Sequence, residues 1–589
     1  MSNKKQSSKV KNLKSTIIRI WKYLDFYRSQ LFLVLFMVVV SSGLGLLGPY
    51  LIGRTVDKYI ATHSGKSLIL ILIVIGAVYF CFSLSSFLQN YWMIGIGQKT
   101  VFTMRSQLFS QLHRLPIKFF DKRQHGELMS RLTNDIDNVS QTLNSSVIQI
   151  FSSVLTLVGT VSVMLVLSPL LTLITMIIIP LMFFGMKWIT NRTGRLFKEQ
   201  QKHLGDLNGF IQETISGQTI VKTFSQEQNM IDDFMEKNER LRKAGYWAQT
   251  YSGFIPKLMN MLNNLSFALI AGAGGWLALR GHITIGTIIV FTEYSRQFTR
   301  PLNDLANQFN TLFSAVAGAE RVFEIIDEEE EKDDVASSKL GEIVGEVEFK
   351  NVSFSYGEDS QTIKNVSFHA TPGETIALVG PTGAGKTTII NLLARFYEPN
   401  EGIILIDGHD TGKIKRNNLR SKMGFVLQDT YLFEGTIREN IRYGKLDASD
   451  KEVEKAAKMA NAHSFIMKLP NQYDTVLKQD GSGISQGQRQ LLSIARAMLS
   501  DPSLLILDEA TSNIDTITEM KIQEALYRLM NGRTSVVIAH RLNTIQNADQ
   551  ILVLDNGQII EKGNHEALLK NRGFYYGLYN GQLKQEVSS

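Results

Sequence analysis

Apolar residues follow two regimes along this chain: long, nearly unbroken runs in the first half, and short runs separated by turns in the second. A helix needs about 20 mostly apolar residues to cross a bilayer. Six segments qualify as predicted spans: 31–53 (LFLVLFMVVV…), 68–92 (LILILIVIGAVYF…), 147–168, 169–189, 258–280 and 284–308. The third and fourth run together, broken only by Ser168-Pro169; they are too long for one span, so a tight turn is predicted there. The sixth is the weakest in hydropathy, because Glu293, Arg296 and Arg300 interrupt it. Residues 15–28 (STIIRIWKYLDFYR) read as an amphipathic helix lying in the inner interface.

Past residue 345 the pattern changes to short apolar strands followed by helical spacing. The predicted fold class is therefore a six-helix membrane domain fused to an α/β domain. The predicted boundaries are 1–28 for a tail and interfacial helix, 29–325 for the spans and their long connections, 326–344 for a linker, and 345–589 for the α/β domain. The linker carries EEEEKDD (Glu328–Asp334), read as a solvated acidic run with no other role. A mean hydropathy near zero is the average of these unlike halves.

The chemistry begins at Gly380–Thr387, GPTGAGKT, between the strand-like TIALVG and the helix-like KTTIINLLARF. Glycines at such a turn let backbone N–H groups close around phosphates at a helix start. The candidate nucleotide-binding positions are Gly380, Pro381, Thr382, Gly383, Ala384, Gly385, Lys386, Thr387 and Thr388. Lys386 would reach the β- and γ-phosphates, and Thr387 would hold Mg2+ through its hydroxyl. About 120 residues on, LLILDEA ends a strand in Asp508 and Glu509. Asp508 would orient the metal, and Glu509 would polarise the attacking water as general base. Gln428 ends MGFVLQ, His540 ends TSVVIAH, and Tyr356 lies in FSYG, where an aromatic could stack on a purine. Strand ends are where open α/β sheets bind ligands. The cofactors implied are ATP and Mg2+.

The order of these motifs, with ISQGQ (Ile484–Gln488) and SNID between them, resembles the nucleotide-binding domain of an ATP-binding cassette (ABC) transporter over residues 346 to 580. The resemblance implies that Gln428 senses Mg2+ and that His540 contacts the γ-phosphate. It also implies that Ser485, Gly487 and Gln488 serve ATP held by the opposite subunit, and that Asp515 lies at the dimer seam. Leu115–Val139 and Gln212–Gln228 resemble the intracellular loops of such transporters, which carry short coupling helices. Gly126, Glu127, Arg131 and Asp135 match in the first, and Glu213, Gly217, Lys222 and Phe224 in the second. Spans two to five are therefore expected to continue well past the membrane. Six spans ahead of one cassette is the exporter layout.

Charge sets the expected orientation. Lys4, Lys5, Lys9, Lys11 and Lys14, and the connections after spans two and four, are basic, so both termini are expected on the cytoplasmic side of a cell membrane. The same bias accounts for the net charge of +7 without a nucleic-acid partner. No signal peptide is read at the N-terminus. The single cysteine, Cys81, sits in a span and excludes an intramolecular disulfide. Glu293, about 15 Å into the sixth span at helical rise, could attract a cationic amphiphile or simply pair with Arg296.

One position departs from the resemblance. The usual signature is LSGGQ, and Gln486 stands where glycine allows unusual backbone angles and close phosphate approach. The chain's own loop, Glu509 and His540 are intact. This asymmetry resembles the catalytically complete half of heterodimeric multidrug exporters. It implies a second half-transporter with a normal LSGGQ and a degenerate Glu or His. The alternatives are a homodimer with two weakened sites, a lipid flippase in place of a drug exporter, and an ATP-gated channel or regulator. The absence of a regulatory insert argues against the last, and that of an N-terminal peptidase domain against export of processed peptides.

Overall fold

The computed structural model describes residues 13–60, 65–333, 341, 343–357, 361–428, 430–478, 481, 483–508, 514–539 and 542–580. The chain divides into two compact units: Met1–His113 with His125–Glu328, and Arg114–Gln124 with Glu329–Ser589.

The first unit is helical. It opens with α1 (Leu13–Asp25), which exposes Ile17, Ile18 and Trp21. Arg19 of α1 pairs with Asp327 and lies 4.1 Å over the Phe323 ring. Then follow α2 (Arg28–Thr55), α3 (Gly65–Leu112), α4 (Ile117–Asp121, which belongs to the second unit), α5 (His125–Ser130), α6 (Ile136–Leu167), α7 (Pro169–Met176), α8 (Ile178–Ser216), α9 (Gln218–Thr223), α10 (Glu227–Leu279), α11 (Ile285–Arg296) and α12 (Thr299–Ile326). The turn at Ser168 is as expected: its backbone is extended, and its hydroxyl accepts from Leu171 N to start the next helix at Pro169. α3, α8 and α10 run for 48, 39 and 53 residues. At 1.5 Å per residue these are roughly 60–80 Å long, about twice the hydrocarbon thickness or more.

Five helical stretches among the described residues are long and apolar enough to cross a membrane. The sixth expected span is not one continuous helix: α11 stops at Arg296 and α12 starts at Thr299. Pro301 accounts for the break, because it has no N–H to offer the Gln297 carbonyl and sits where a helix tolerates it, in the first turn of α12. Around this segment polar groups pair internally. The buried Tyr294 hydroxyl donates to Leu46 O at 2.7 Å, and Gln149 donates to Asp304 at 2.5 Å. Three of the matched residues of the Leu115–Val139 loop, Glu127, Arg131 and Asp135, are held in a hydrogen-bonded cluster. Buried Arg131 donates to Arg321 O at 2.9 Å and to Glu127, and Arg321 donates to Asp135 at 2.8 Å.

Among the described residues the second unit is built on two larger sheets and a short two-stranded one. The strands are β1 (Val347–Phe354), β2 (Ile363–Ala370), β3 (Thr375–Val379), β4 (Glu401–Ile406), β5 (His409–Asp410), β6 (Met423–Val426), β7 (Gly435–Thr436), β8 (Val476–Leu477), β9 (Leu504–Asp508), β10 (Thr534–Ile538), β11 (Gln550–Asp555) and β12 (Gln558–Gly563). The main sheet has the order β12-β11-β3-β10-β9-β6, and β11, β3, β10, β9 and β6 are parallel. A smaller antiparallel sheet has the order β2-β1-β4-β5, and β7 and β8 form the short two-stranded one. The helices are α13 (Lys386–Leu393), α14 (Arg416–Arg420), α15 (Ile437–Arg442), α16 (Asp450–Met459), α17 (His463–Ile466), α18 (Gln486–Ser500), α19 (Thr516–Met530), α20 (Leu542–Gln546) and α21 (His565–Asn571).

Strand alternation sorts the core into layers. Leu504 and Ile506 of β9 face the smaller sheet and α13, with Ile376, Leu378, Val536 and Ile538. Leu505 and Leu507 face the opposite way, into a cluster with the helices α15, α16, α18 and α19. The phosphate loop thus grows from one layer and the ISQGQ segment from another.

The acidic run is not merely solvated. Glu331 receives a bidentate pair from Arg420, at 2.7 and 2.8 Å. Arg416 bonds Asp333 at 2.9 Å and Glu398 at 2.7 Å. The segment is a strap on the ATPase unit, held by the basic stretch Arg416–Lys422 that follows it by more than 80 residues.

Candidate nucleotide site

β3 delivers the chain to the loop at Gly380. A Cβ there would lie 2.2 Å from the Leu554 carbonyl oxygen, so no side chain fits. Gly383 and Gly385 turn with φ of 86° and 101°, in the left-handed region that favours glycine. Gly385 is the N-cap of α13, and it offers no side-chain cap. By contrast α15, α16, α18 and α19 are closed by Thr436, Ser449, Ser485 and Asp515. Gly385 therefore leaves the first-turn N–H groups of α13, which lack helical acceptors, without an N-cap side chain, and that is the donor set a phosphate group fits. Lys386 is 8 % exposed, and its ammonium donates to Gly380 O at 2.7 Å and Pro381 O at 2.9 Å. Burial lowers its pKa, and the charge of Asp508 opposes that shift.

Parallel register brings the expected strand-end residues to one edge. Ile538 is level with both Leu378 and Asp508, and Val426 with Leu507. Gln428 leaves β6 beside the end of β9 and is exposed. Thr387 is exposed at the start of α13, and Thr388 is buried behind it. Asp508 and the Thr387 hydroxyl suit Mg2+, which is commonly bound through one or two carboxylates together with nucleotide phosphates. Among the described residues no cluster of three His, Cys, Asp or Glu could hold a metal alone. Glu509 and His540 lie outside the described residues.

Tyr356 stands two residues past β1 with a partly exposed ring. Its hydroxyl donates to Thr388 Oγ1 at 3.3 Å and accepts from Asn391 at 3.3 Å. This fixes the ring beside the phosphate-loop helix.

Ser485, Gly487 and Gln488 are at the start of α18, in the other layer. Ser485 and Gln488 form a capping box: the Ser485 hydroxyl accepts from Gln488 N, and Gln488 Oε1 accepts from Ser485 N at 2.9 Å. Gly487 has no room for a side chain, since a Cβ would meet Thr518 Cγ2 at 2.4 Å. Gln486 corrects the backbone part of the sequence argument. It is the first residue of α18, is not among the positive-φ residues, and is exposed. The fold accepts glutamine there without strain, so its consequence is bulk at the helix start. Asp515 caps α19 by accepting from Thr518 N at 2.9 Å, and that bond holds its carboxyl below the usual range.

In the helical unit Glu293 meets Arg296 at 3.8 Å, with both side chains substantially exposed. The pairing alternative is thus realised.

Two residues at the site escaped the sequence. Tyr397 donates to Asp121 of α4 at 2.5 Å, and Arg395 is buried with bonds to Glu398, Ile414 O and Gly412 O. Only the acidic and basic runs in the sequence hinted at the second.

Residues 31–302 match the family described as ABC transporter transmembrane region, and residues 363–512 that described as ABC transporter. An uncharacterized ABC transporter ATP-binding protein of Bacillus subtilis is 63% identical over 99% of this chain and 96% of its own length. The chain belongs to the ABC transporter family. It is an ABC exporter half-transporter, and its ATPase domain couples ATP hydrolysis to transport. It is also similar to a fatty acid ABC transporter ATP-binding/permease protein of Mycobacterium tuberculosis, 47% identical over 81% of this chain and 76% of that one. A lipid A-core flippase of Syntrophus aciditrophicus is 38% identical over 91% and 89% of the two chains.

Proposed function

We infer that this ABC half-transporter moves hydrophobic or amphipathic compounds outward across the cytoplasmic membrane by alternating access, paired with a different second subunit. The observation that carries the pairing is the contrast between two helix starts. The start of α13 is uncapped and glycine-built, as a phosphate site needs. The start of α18 carries the exposed Gln486 side chain where the opposite subunit's phosphate would approach. A good site forms over Gly380–Thr387 when the partner supplies a normal LSGGQ, while a partner lacking its catalytic Glu or His loses little to Gln486. In the complete site Thr387 and Asp508 would hold Mg2+, with Gln428 as its sensor. Glu509 activates water, His540 contacts the γ-phosphate, and Tyr356 stacks on the base. Positive-inside bias supports a cytoplasmic location for both termini and the ATPase domain.

The cargo is read from the relatives together with the spans. Two similar proteins are named for fatty acids and lipid A-core, both amphipathic. An acyl-chain amphiphile is therefore the first cargo to test, and assorted hydrophobic drugs the second. Glu293 would bias the choice toward cationic head groups if it releases Arg296. A homodimer with two weakened sites is the competing assembly. The test is ATPase activity of the chain purified alone and with the subunit that co-purifies from its native membrane. The pairing predicts low activity alone and at least tenfold more with the partner. Full cargo-stimulated activity of the chain alone would rule it out.

A further inference from the structure

The helix that starts at the phosphate loop also holds the ring expected to meet the base. Thr388 and Asn391 are three residues apart on α13, so they share one face of it. Both reach the Tyr356 hydroxyl, which donates to Thr388 Oγ1 at 3.3 Å and accepts from the Asn391 amide at 3.3 Å. These bonds span 32 and 35 positions of sequence, so they tie the segment after β1 to α13 rather than close a local turn. The one proton of the hydroxyl is thereby spent within the protein, and the ring is what remains for a ligand. Phe354 and Tyr397 pack edge-on against that ring, each with centroids 4.9 Å away at 86°. Ser355 N donates to Asn400 Oδ1 at 2.8 Å, which holds the backbone just before it. Tyr356 is still 38 % exposed, so the tethered ring has surface to offer a base.

We propose that Asn391 is a positioning residue for the nucleotide: with Thr388 it holds the Tyr356 ring, so that α13 fixes the spacing between base seat and phosphate seat. Phosphates fit the first turn of α13, and the ring is anchored on the second. Lys386 and Asn391 are five residues apart on this helix, about 7.5 Å at helical rise. A ring already held in place spares the nucleotide the cost of ordering it, which is how preorganisation strengthens binding. Asn391 acts through the ring and not on the base, and a ring stacks on any base, so its effect is indifferent to base identity. Thr388 is buried and Asn391 only partly so, which makes Asn391 the member of the pair that can be changed without emptying the core. The inference rests on the reading that Tyr356 stacks on the base.

The test uses the full-length transporter with its co-purifying subunit in lipid nanodiscs, comparing Asn391→Ala, Tyr356→Phe, the double variant and Tyr356→Ala. Alanine is the best helix former and phenylalanine keeps the ring, so α13 and the aromatic packing survive both single changes. Bonds of 3.3 Å are long, so Asn391→Ala should raise KM for ATP by about twofold to fivefold, with kcat at saturating ATP within about twofold. Tyr356→Phe should raise KM at least as much, and adding Asn391→Ala to it should change nothing further. In Asn391→Ala, inhibition by ADP and by GDP should weaken by the same factor. Inhibition by inorganic tripolyphosphate, which has phosphates and no base, should be unchanged. Weaker inhibition by ADP alone would make Asn391 a direct reader of the base, and weaker inhibition by tripolyphosphate would make it part of the phosphate seat. Either result overturns the proposal, as does a further rise in the double variant or a fall in kcat with KM unchanged. If Tyr356→Ala raises KM while Asn391→Ala does not, the tether fails and the stacking reading stands. If Tyr356→Ala leaves KM unchanged, the stacking reading fails and takes the tether with it.

Discussion

At the scale of single residues, Gln486 and Gly487 are adjacent and opposite in their demands. Gly487 is fixed by this chain's own packing. Gly487→Ala should destabilise the ATPase domain by about 1–3 kcal/mol, because the added methyl overlaps the Thr518 methyl. Thr518→Ser, which deletes that methyl, should restore much of the loss in a thermal unfolding assay. Gln486 is exposed and unstrained, so under the proposed pairing its effect would fall on another chain's nucleotide. In the native complex, Gln486→Gly should change ATP turnover by less than about twofold. A several-fold rise would instead indicate two equivalent weakened sites. Lys386→Ala should lower turnover by about 100-fold or more, since it removes a buried ammonium aimed into the phosphate loop. The loop was legible because its glycines, Lys386 and Thr387 are close neighbours in sequence. Backbone strain at Gln486 was expected by analogy with glycine, and the helix start that Ser485 caps removes the need for it.

At the scale of elements, what was legible depended on sequence distance. The Ser168-Pro169 turn could be read because its signals are adjacent. The break between α11 and α12 was only half visible: charges interrupted the apolar run, while the cause, Pro301, acts through a carbonyl four residues earlier. The strap was invisible as structure, because Glu331 meets Arg420 across 89 positions and Tyr397 meets Asp121 across 276. Its partners are only partly exposed, so the pairing is more than a surface ion pair. Glu331→Gln weakens the bidentate bond from Arg420 and the 3.5 Å ion pair with Arg416 together, and should destabilise the ATPase domain by about 2 kcal/mol, measured by denaturation of the nanodisc-held transporter. A change below about 0.5 kcal/mol would return the acidic run to the solvated role first expected for it.

At the scale of the whole molecule, one chain joins apolar helices long enough to cross a bilayer to an ATPase domain with an uncapped, glycine-built phosphate site. The family relationship makes ATP-driven export the activity of this architecture. The proposed outward direction, amphipathic cargo and unequal pair can be read together in everted membrane vesicles. The most direct measurement is accumulation of a labelled fatty acid in everted vesicles that carry the chain with its native partner. ATP with Mg2+ should drive accumulation, and a non-hydrolysable analogue should not. Lys386→Ala in this chain should abolish it, whereas the matching lysine change in the partner should leave a substantial fraction. Accumulation that survives Lys386→Ala, or proceeds equally with the analogue, would contradict an exporter powered by hydrolysis at Gly380–Thr387.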